Sequence, residues 1–357
     1  MKTRLFLDVH AIQTVPPANI NRDDTGSPKT AQYGGVTRAR VSSQSWKRAI
    51  RKYFNDNGKI NNIGIRSLQI VKYIAEKIIK IDESMLFDVA MEMAEKTLNA
   101  AKISTKDQKV KALFFISDKQ AEKLAEASIA KNEDKKYLQD ILKTEDSIDI
   151  CLFGRMLAKD SSINVDASAQ VAHAISTHEI ESEFDFYTAV DDLAPEDNQG
   201  AAMIDTLEYN SSTLYRYANI AMHDFYGQLG DKESLINATK LFVEAFIKSM
   251  PTGKINSFAN QTLPSAIVVT LRSDRPVNMV SAFEEAVKSN EGYVKKSVQK
   301  LFEEYSLYDN MLEKPIYTAY YTFKDYGTAD IGKKENSIED LVKGLGAELN
   351  NALEKIK

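Results

Sequence analysis

Four segments with helical spacing fill the chain between residues 67 and 142, and only one short strand pattern, at 113–116, interrupts them. In each segment apolar residues recur every three or four positions, which is typical of amphipathic helices. The segments cover residues 67–81, 85–102, 118–131 and 135–142. Such a stretch supplies almost nothing to a sheet. It therefore predicts a helical unit inserted between whatever the flanking residues form.

The flanking residues carry the strand patterns. Side-chain character alternates along residues 4–12, Pro16-Pro17 is expected to end that strand, and Ser42-Ser43 favours the start of a helix. Without the insertion, the order is strand, helix, strand, strand, helix, strand, as in a ferredoxin-like or RNA-recognition-motif domain. The later patterns predict strands at 183–193, 213–220, 265–271 and 316–323, and helices at 232–250, 277–289, 293–305 and 338–355. The sequence thus predicts an α+β fold. The strands at 183–193 and 213–220 are expected to pair as a hairpin with a long tip.

Composition narrows the class of protein. The 357 residues are 43% apolar and include one cysteine, Cys151, so an intrachain disulfide is excluded and a reducing compartment is expected. Apolar runs stay well below the ~18 residues of a membrane span. We therefore expect a cytoplasmic protein that does not act at a membrane.

The distribution of charge is more informative than the net charge of −5. Residues 25–55 contain no Asp or Glu but seven Lys and Arg, so the rest of the chain is more acidic than the total indicates. A local basic stretch on an acidic protein favours a polyanionic partner, although a solvated helix face has the same composition. The residues suited to contact phosphates, directly or as neutral donors at the helix start, are Lys29, Arg38, Arg40, Ser43, Gln44, Lys47, Arg48 and Arg51.

Motifs for catalysis and cofactors are missing from the sequence. A phosphate-binding loop and a dinucleotide fingerprint are absent, and the four histidines lack the spacing of a zinc site. We therefore expect no enzyme activity, no cofactor and no metal. Asp23-Asp24 is the exception, because paired carboxylates can hold a metal or cleave a nucleic acid, whereas the simpler interpretation is that they cap a turn.

Three blocks of residues carry a family resemblance. The first joins Asn21-Arg22-Asp23-Asp24 and Gly34-Gly35 to residues 38–51, the second spans residues 172–178 and 186–192, and the third is Tyr215-Arg216-Tyr217-Ala218-Asn219. In order and spacing they resemble the CasC family, the backbone subunit of the type I-E CRISPR Cascade complex. Residues 60–145 and those after 275 carry no motif of this family.

The resemblance implies a hand-shaped subunit. Its palm, of RNA-recognition-motif topology, comprises residues 1–58, 148–192 and 211–357, the last with C-terminal helices. Its helical fingers comprise residues 59–147, and the tip of its thumb hairpin comprises residues 193–210.

The resemblance also implies a role in antiviral defence. Copies of the chain stack as a helical filament along one CRISPR RNA, together with other Cascade subunits, and the RNA pairs with target DNA in segments. Each thumb displaces one base at regular intervals, with Met203, Ile204 and Leu207 as the wedge. The residues carried over as RNA-backbone contacts are Arg22, Lys29, Gln44, Lys47, Arg48 and Arg51.

Two alternatives remain open from the sequence. One is an RNA-cleaving backbone subunit of a CRISPR effector that uses Asp23 or Asp24. The other is a helical scaffold without RNA, in which the basic stretch binds an acidic partner protein.

Overall fold

The computed structural model describes residues 4–57, 62–157, 161–189, 192–193, 203–308, 310–327 and 330–354, with the backbone alone at 203 and 204. The chain divides into two compact units. The sheet unit comprises Met1–Tyr53, Val171–Asn219 and Thr239–Lys357. The helical unit comprises Phe54–Gln170 and Ile220–Ala238.

The described residues contain fourteen strands and eleven α-helices. The strands are β1 (Phe6–Ala18), β2 (Thr30–Tyr33), β3 (Val36–Val41), β4 (Gly64–Ser67), β5 (Thr105–Lys106), β6 (Lys109–Val110), β7 (Phe114–Ser117), β8 (Ala169–Val171), β9 (Ala174–Ser176), β10 (Glu183–Ala189), β11 (Met203–Ala221), β12 (Ala266–Arg272), β13 (Tyr317–Thr322) and β14 (Lys333–Lys334). The helices are α1 (Ser43–Asn57), α2 (Ile70–Ile81), α3 (Phe87–Ala100), α4 (Asp118–Ile129), α5 (Lys135–Lys143), α6 (Ile148–Phe153), α7 (Met222–Leu229), α8 (Lys232–Lys248), α9 (Ile255–Phe258), α10 (Val294–Tyr308) and α11 (Ile338–Glu354). The mixture of helices and a large sheet that the predicted α+β class requires is confirmed.

One large sheet organises the sheet unit. Its strand order is β14-β13-β12-β1-β11-β9-β3-β2, and β8 and β10 also pair with β11. Strands β1 and β12 are antiparallel and in register from Phe6↔Arg272 to Ile12↔Ala266. Both are buried along nearly their whole length, which fits the mostly apolar run of β12. On β1 the buried Asp8 and His10 alternate with apolar residues, so both faces of this strand are covered.

Residues from several elements form the core beside this sheet. Phe283 is fully buried there, as are Val298 and Leu301 of α10, and Ile12 and Val268 of the strands join the same cluster. Burial of such side chains is the main stabilising contribution to a domain of this size.

The helical unit has its own core. Helix α2 places Ile70, Ile74 and Ile78 at helical spacing in this core, and all three are fully buried with Leu98 of α3 and Leu124 of α4. The short strands β4 and β7 pair within the same unit. The four helices predicted between residues 67 and 142 are confirmed as α2 to α5. No helix in the described part of the chain is long and apolar enough to cross a membrane.

Two predictions of secondary structure are wrong. Strand β1 does not stop before Pro16-Pro17 but continues to Ala18. Its pairing with β12 ends at Ile12, so the prolines, which donate no hydrogen bond, occupy positions where that ladder has stopped. After β1, strand β2 pairs with β3 across a turn at Gly34-Gly35.

The second wrong prediction is the helix at 277–289. Only a 3₁₀ helix, Met279–Phe283, forms there. The carbonyls of Phe283 and Glu284 accept hydrogen bonds from Arg38, and the N–H of Val287 donates to Thr177. Tertiary partners thus occupy backbone groups that a continuing helix would pair internally, which outweighs the helical pattern of the sequence.

Candidate nucleic-acid interface

The start of α1 is built to leave positive potential at its N-terminus. Ser42, directly after β3, is the cap: its carbonyl accepts from the N–H groups of Ser45 (3.0 Å) and Trp46 (3.2 Å). Helix geometry leaves the N–H groups of Ser43 and Gln44 without an acceptor inside the helix. The first turn holds no acidic residue. A helix start of this kind attracts anions.

Helix α1 has one core face and one polar face. Trp46, Ile50 and Phe54 follow helical spacing and are each no more than 1% exposed. On the opposite side Gln44 and Arg48 are exposed, one turn apart. The core face fixes the orientation of the helix, and this orientation presents the polar face outward.

Two further cations flank this polar face. Lys47 and Arg51 are one helical turn apart and half-buried. Partial burial lowers the pKa of Lys47, because the charged form is desolvated. A nearby anion would offset that cost.

The loop that carries Arg22 and Lys29 is attached to both β3 and the start of α1. The Asn21 carbonyl accepts from Lys29 N–H (2.9 Å), and Arg40 N–H donates to the Lys29 carbonyl (2.9 Å). The side chain of Asn21 accepts from Ser42 N–H at 2.8 Å. These bonds bring the exposed Arg22 and the half-buried Lys29 and Arg40 to the same edge as the helix start, and we name these residues with α1 the basic edge.

The basic edge also contains His173, which was not among the predicted RNA contacts. Arg40 Nη1 lies 3.1 Å from His173 Nδ1, and Arg40 Nε donates to the Thr30 carbonyl at 3.1 Å. Because arginine only donates, Nδ1 is the acceptor and the proton of the neutral ring is on Nε2. Partial burial, followed by the charges of Arg40 and Lys29, lowers the pKa of His173. The signal in the sequence that could have identified His173 is its position in the second family block, residues 172–178.

Arg38 does not belong to the basic edge, which corrects the prediction that it contacts phosphates. Its side chain is fully buried. Its guanidinium donates to the carbonyls of Tyr33 (3.1 Å), Ser176 (2.9 Å), Phe283 (2.9 Å) and Glu284 (3.2 Å). A guanidinium used in this way has no surface for a ligand, and its role is to fasten the segment after β12 to β3.

Asp23 is used within its own turn. Its Oδ1 accepts from the hydroxyl of Thr25 (2.7 Å) and from the N–H groups of Thr25 (2.9 Å) and Ser27 (3.0 Å). The hydroxyl of Thr25, more than any other group, holds the pKa of Asp23 below its usual range. Asp24 is exposed beside it. Among the described residues, no group of three or more His, Cys, Asp or Glu could hold a metal ion.

Strands β10 and β11 form an exposed hairpin in register from Glu183↔Tyr209 to Ala189↔Met203. Of the three predicted wedge residues, only Leu207 has a described side chain, which is half-buried and paired across from Asp185. The side chains of Met203 and Ile204, and residues 194–202 of the predicted thumb tip, lie outside the described residues.

Two aromatic residues of this hairpin were missed as functional candidates. Phe184 and Phe186 are 67% and 66% exposed. They are two residues apart on β10 and therefore share one face. Two large apolar side chains exposed on one hairpin face are typical of a contact surface. Phe186 is the first residue of the 186–192 part of the second family block, but its exposure is visible only in the structure.

Comparison with known proteins assigns the chain to a family. The model of the CT1975-like protein family, Cas_CT1975, matches residues 7–344. The chain belongs to the CT1975-like family. It is also similar to a chain of a "CRISPR RNA-guided surveillance complex, pre-nicking", with 31% identity, 96% of this chain and 100% of that chain covered, and a TM-score of 0.87.

A second solved chain, of a "CRISPR RNA-guided surveillance complex", is 29% identical to this CT1975-like chain. The match covers 96% of this chain and 98% of the other, with a TM-score of 0.66. No curated protein matches the chain.

Proposed function

We propose that this CT1975-like protein is an RNA-binding backbone subunit of a CRISPR surveillance complex in the cytoplasm, of the CasC type I-E kind. Several copies bind along one CRISPR RNA, with other subunits of the complex, and hold the RNA in segments for pairing with target DNA. The family match and the two similar chains of RNA-guided surveillance complexes support the proposal. The specific assignment to type I-E rests on the three residue blocks of the sequence.

The observation that carries the proposal is the basic edge. Its loop, strand and helix start are fastened together by the hydrogen bonds of Asn21, Lys29 and Arg40, so the backbone that carries its cations is positioned before any ligand binds. Cations and free N–H groups of this kind bind phosphates irrespective of sequence. This suits a subunit that must accept any guide, because base pairing then supplies the sequence specificity.

The hand-shaped division remains part of the proposal. The sheet unit corresponds to the palm of RNA-recognition-motif topology, and the helices around 59–147 to the fingers. The β10–β11 hairpin corresponds to the thumb, with the tip at 193–210. The exposed Phe184 and Phe186 then provide a surface through which the hairpin contacts the RNA or the next copy. The subunit works by holding the RNA rather than by cleaving it, since Asp23 is bound within its own turn.

The test is RNA binding across a salt series. The probe is a single-stranded RNA of CRISPR repeat and spacer sequence, and the variant is Lys47→Glu/Arg48→Glu/Arg51→Glu. Each phosphate neutralised by a single-strand binder contributes about −0.7 to the slope of log K against log salt. We expect the variant to reduce the magnitude of that slope by about 2.

The matched control reverses three exposed lysines of the helical unit, Lys106→Glu/Lys109→Glu/Lys111→Glu, and should leave the slope unchanged. Arg22→Ala/Arg48→Ala tests the same edge at two exposed positions without reversing charge. Equal binding by the wild-type chain and both basic-edge variants would refute the proposal. Cleavage of the RNA in the presence of a divalent cation, abolished by Asp24→Ala, would establish the RNA-cleaving alternative instead.

A further inference from the structure

A small pocket opens beside the basic edge, at the base of the β10–β11 hairpin. It has a volume of ≈ 270 Å³ including its open mouth. Val15 of β1 and Val41 of β3 contribute to its apolar wall, and Asn210 and Ser212 of β11 line its polar side. Lys29 and Arg40 also line it, so the pocket shares two cations with the proposed RNA surface.

One polar side chain of this pocket lacks a hydrogen-bond partner. Asn210 is only 6% exposed, and its Nδ2 is buried without an acceptor. Asn210 and Ser212 are two residues apart on one strand and therefore point to the same side, which is the side of the pocket. Buried amide groups are nearly always paired, so an orphan of this kind indicates a partner that comes from the pocket.

The size of the pocket limits what that partner is. Its enclosed part has room for about one water-sized group, which admits a hydroxyl but not a nucleobase. An amide offers a donor or, after rotation of its end group, an acceptor. A hydroxyl both donates and accepts, so it satisfies the amide of Asn210 in either orientation.

The two cations show where such a hydroxyl comes from. Lys29 and Arg40 are suited to bind a phosphate at the mouth of the pocket. In RNA the 2′-hydroxyl and the 3′-phosphate are attached to neighbouring carbons of one ribose. A phosphate held at the mouth therefore carries a 2′-hydroxyl next to it, whereas a DNA strand has none.

We propose that this pocket binds the 2′-hydroxyl of one ribose of the bound strand, with the side-chain amide of Asn210 as its partner, and that it distinguishes RNA from DNA. The inference rests on the proposed function, since it places the strand along the basic edge. Phosphate contacts then supply affinity, and the pocket adds selection of the sugar at the same nucleotide.

The test compares three single-stranded probes of one sequence: the RNA, the DNA and the fully 2′-O-methylated RNA. The wild-type chain should bind the unmodified RNA most tightly, since a methyl group does not fit a space of water size. Asn210→Ala should weaken binding of that RNA by about 2- to 10-fold, which corresponds to one hydrogen bond. Binding of the other two probes should not change.

Gln299→Ala is the control, because it removes an amide from α10 of the same unit and should leave all three affinities unchanged. If Asn210→Ala does not fold, the loss caused by 2′-O-methylation is measured on the wild-type chain alone. Equal binding of all three probes by the wild-type chain would mean that the pocket holds only water. An equal loss for all three in Asn210→Ala would mean that Asn210 acts independently of the 2′-hydroxyl, and either result would overturn the inference. Failure to bind any probe would instead refute the proposed function.

Discussion

The guanidinium carbon of Arg216 lies 3.6 Å from the centre of the Trp46 ring and 4.3 Å from that of Phe246. Arg216 is 1% exposed, and it donates to the side chain of Gln13 and to the Phe246 carbonyl. Burial lowers its pKa to about 9, because the charged form loses its water. This stack of the Arg216 guanidinium with the rings of Trp46 and Phe246 joins three elements: α1, which carries the basic edge, β11 and α8.

Removal of this stack should destabilise the sheet unit. Arg216→Ala leaves a cavity between two aromatic rings and should lower the free energy of unfolding by about 3 kcal/mol. Arg216→Met fills most of that volume without a charge and should cost less. Trp46 is the only tryptophan, so its fluorescence during urea unfolding reports on this site directly. A loss below about 0.5 kcal/mol in Arg216→Ala would show that the stack is not structural.

Asp8 and His10 should make the free energy of unfolding of the sheet unit depend on pH in opposite directions. Burial raises the pKa of Asp8 from 3.8 to about 7, so its stabilising contribution is complete at low pH and is lost as the pH rises through about 7. Burial lowers the pKa of His10 from 6.5 to about 3, so its contribution is lost as the pH falls below 6.5. Between about pH 4 and 6.5 the two slopes, each about 1.4 kcal/mol per pH unit, cancel.

Single substitutions should reveal each slope separately. Asp8→Asn leaves only the histidine, so the free energy of unfolding should rise with pH in that window relative to wild type. His10→Gln should make it fall with pH instead. The measurement is urea unfolding at several pH values, and the double variant should return to the wild-type slope. Parallel curves for both single variants would contradict the assigned pKa directions.

The two glycines of the β2–β3 turn should differ in their tolerance of a side chain. Both have positive φ, +59° at Gly34 and +79° at Gly35, so alanine is strained by about 1 kcal/mol at either. A Cβ at Gly34 would also meet the Glu284 carbonyl oxygen at 1.7 Å, whereas one at Gly35 meets nothing within 4 Å. Thermal unfolding should therefore show a clearly larger loss for Gly34→Ala, and equal losses would contradict the close approach.

Binding of RNA should be coupled to protonation of His173. Partial burial and the charges of Arg40 and Lys29 keep the pKa of His173 low in the free protein. A bound phosphate that draws Arg40 away from Nδ1 offsets these charges and opens Nδ1 to a proton. The pKa then rises on binding, so the affinity should increase as the pH is lowered from about 7.5 to about 5.5. His173→Asn should lose this dependence, and His223→Ala should retain it. Titrations at matched ionic strength provide the measurement, and an unchanged dependence in His173→Asn would refute the coupling.

The aromatic face of the hairpin should act in assembly and not in folding. Phe184→Ser/Phe186→Ser changes two exposed side chains, so the free energy of unfolding should stay within about 0.5 kcal/mol of wild type. The number of copies bound to a long RNA should fall, as measured by light scattering. Leu307→Ser/Met311→Ser, also exposed at 62% and 76%, is the matched control. Full occupancy in the aromatic variant would exclude this face from contacts between copies.

Elements governed by local pattern were predictable from the sequence. Helices α2 to α5, α8, α10 and α11 follow their apolar spacing, and β12 and β13 lie where the β-rich segments predicted them. The charge distribution also indicated most of the basic edge.

Features decided by distant residues were not predictable. The burial of Arg38 depends on carbonyls of residues 283 and 284, more than 240 positions away. The same contact prevents the expected helix at 277–289. The pairing of Arg40 with His173 likewise joins β3 to a segment that is distant in sequence, the one between β8 and β9. The periodic pattern of a segment does not indicate which residues, distant in sequence, will contact it in the fold.

Strand β11 is 19 residues long, and its first seven residues form one side of the exposed hairpin. At about 3.3 Å per residue, these seven carry the hairpin roughly 23 Å from Asn210. Because side chains alternate, removing one residue from the base of each strand, such as Glu183 and Tyr209, would turn Phe184 and Phe186 to the other face. Removing two residues from each base shortens the reach by about 7 Å and keeps the face. Relatives should therefore differ in hairpin length by even numbers of residues per strand, and the spacing of copies along the RNA should change in the same steps.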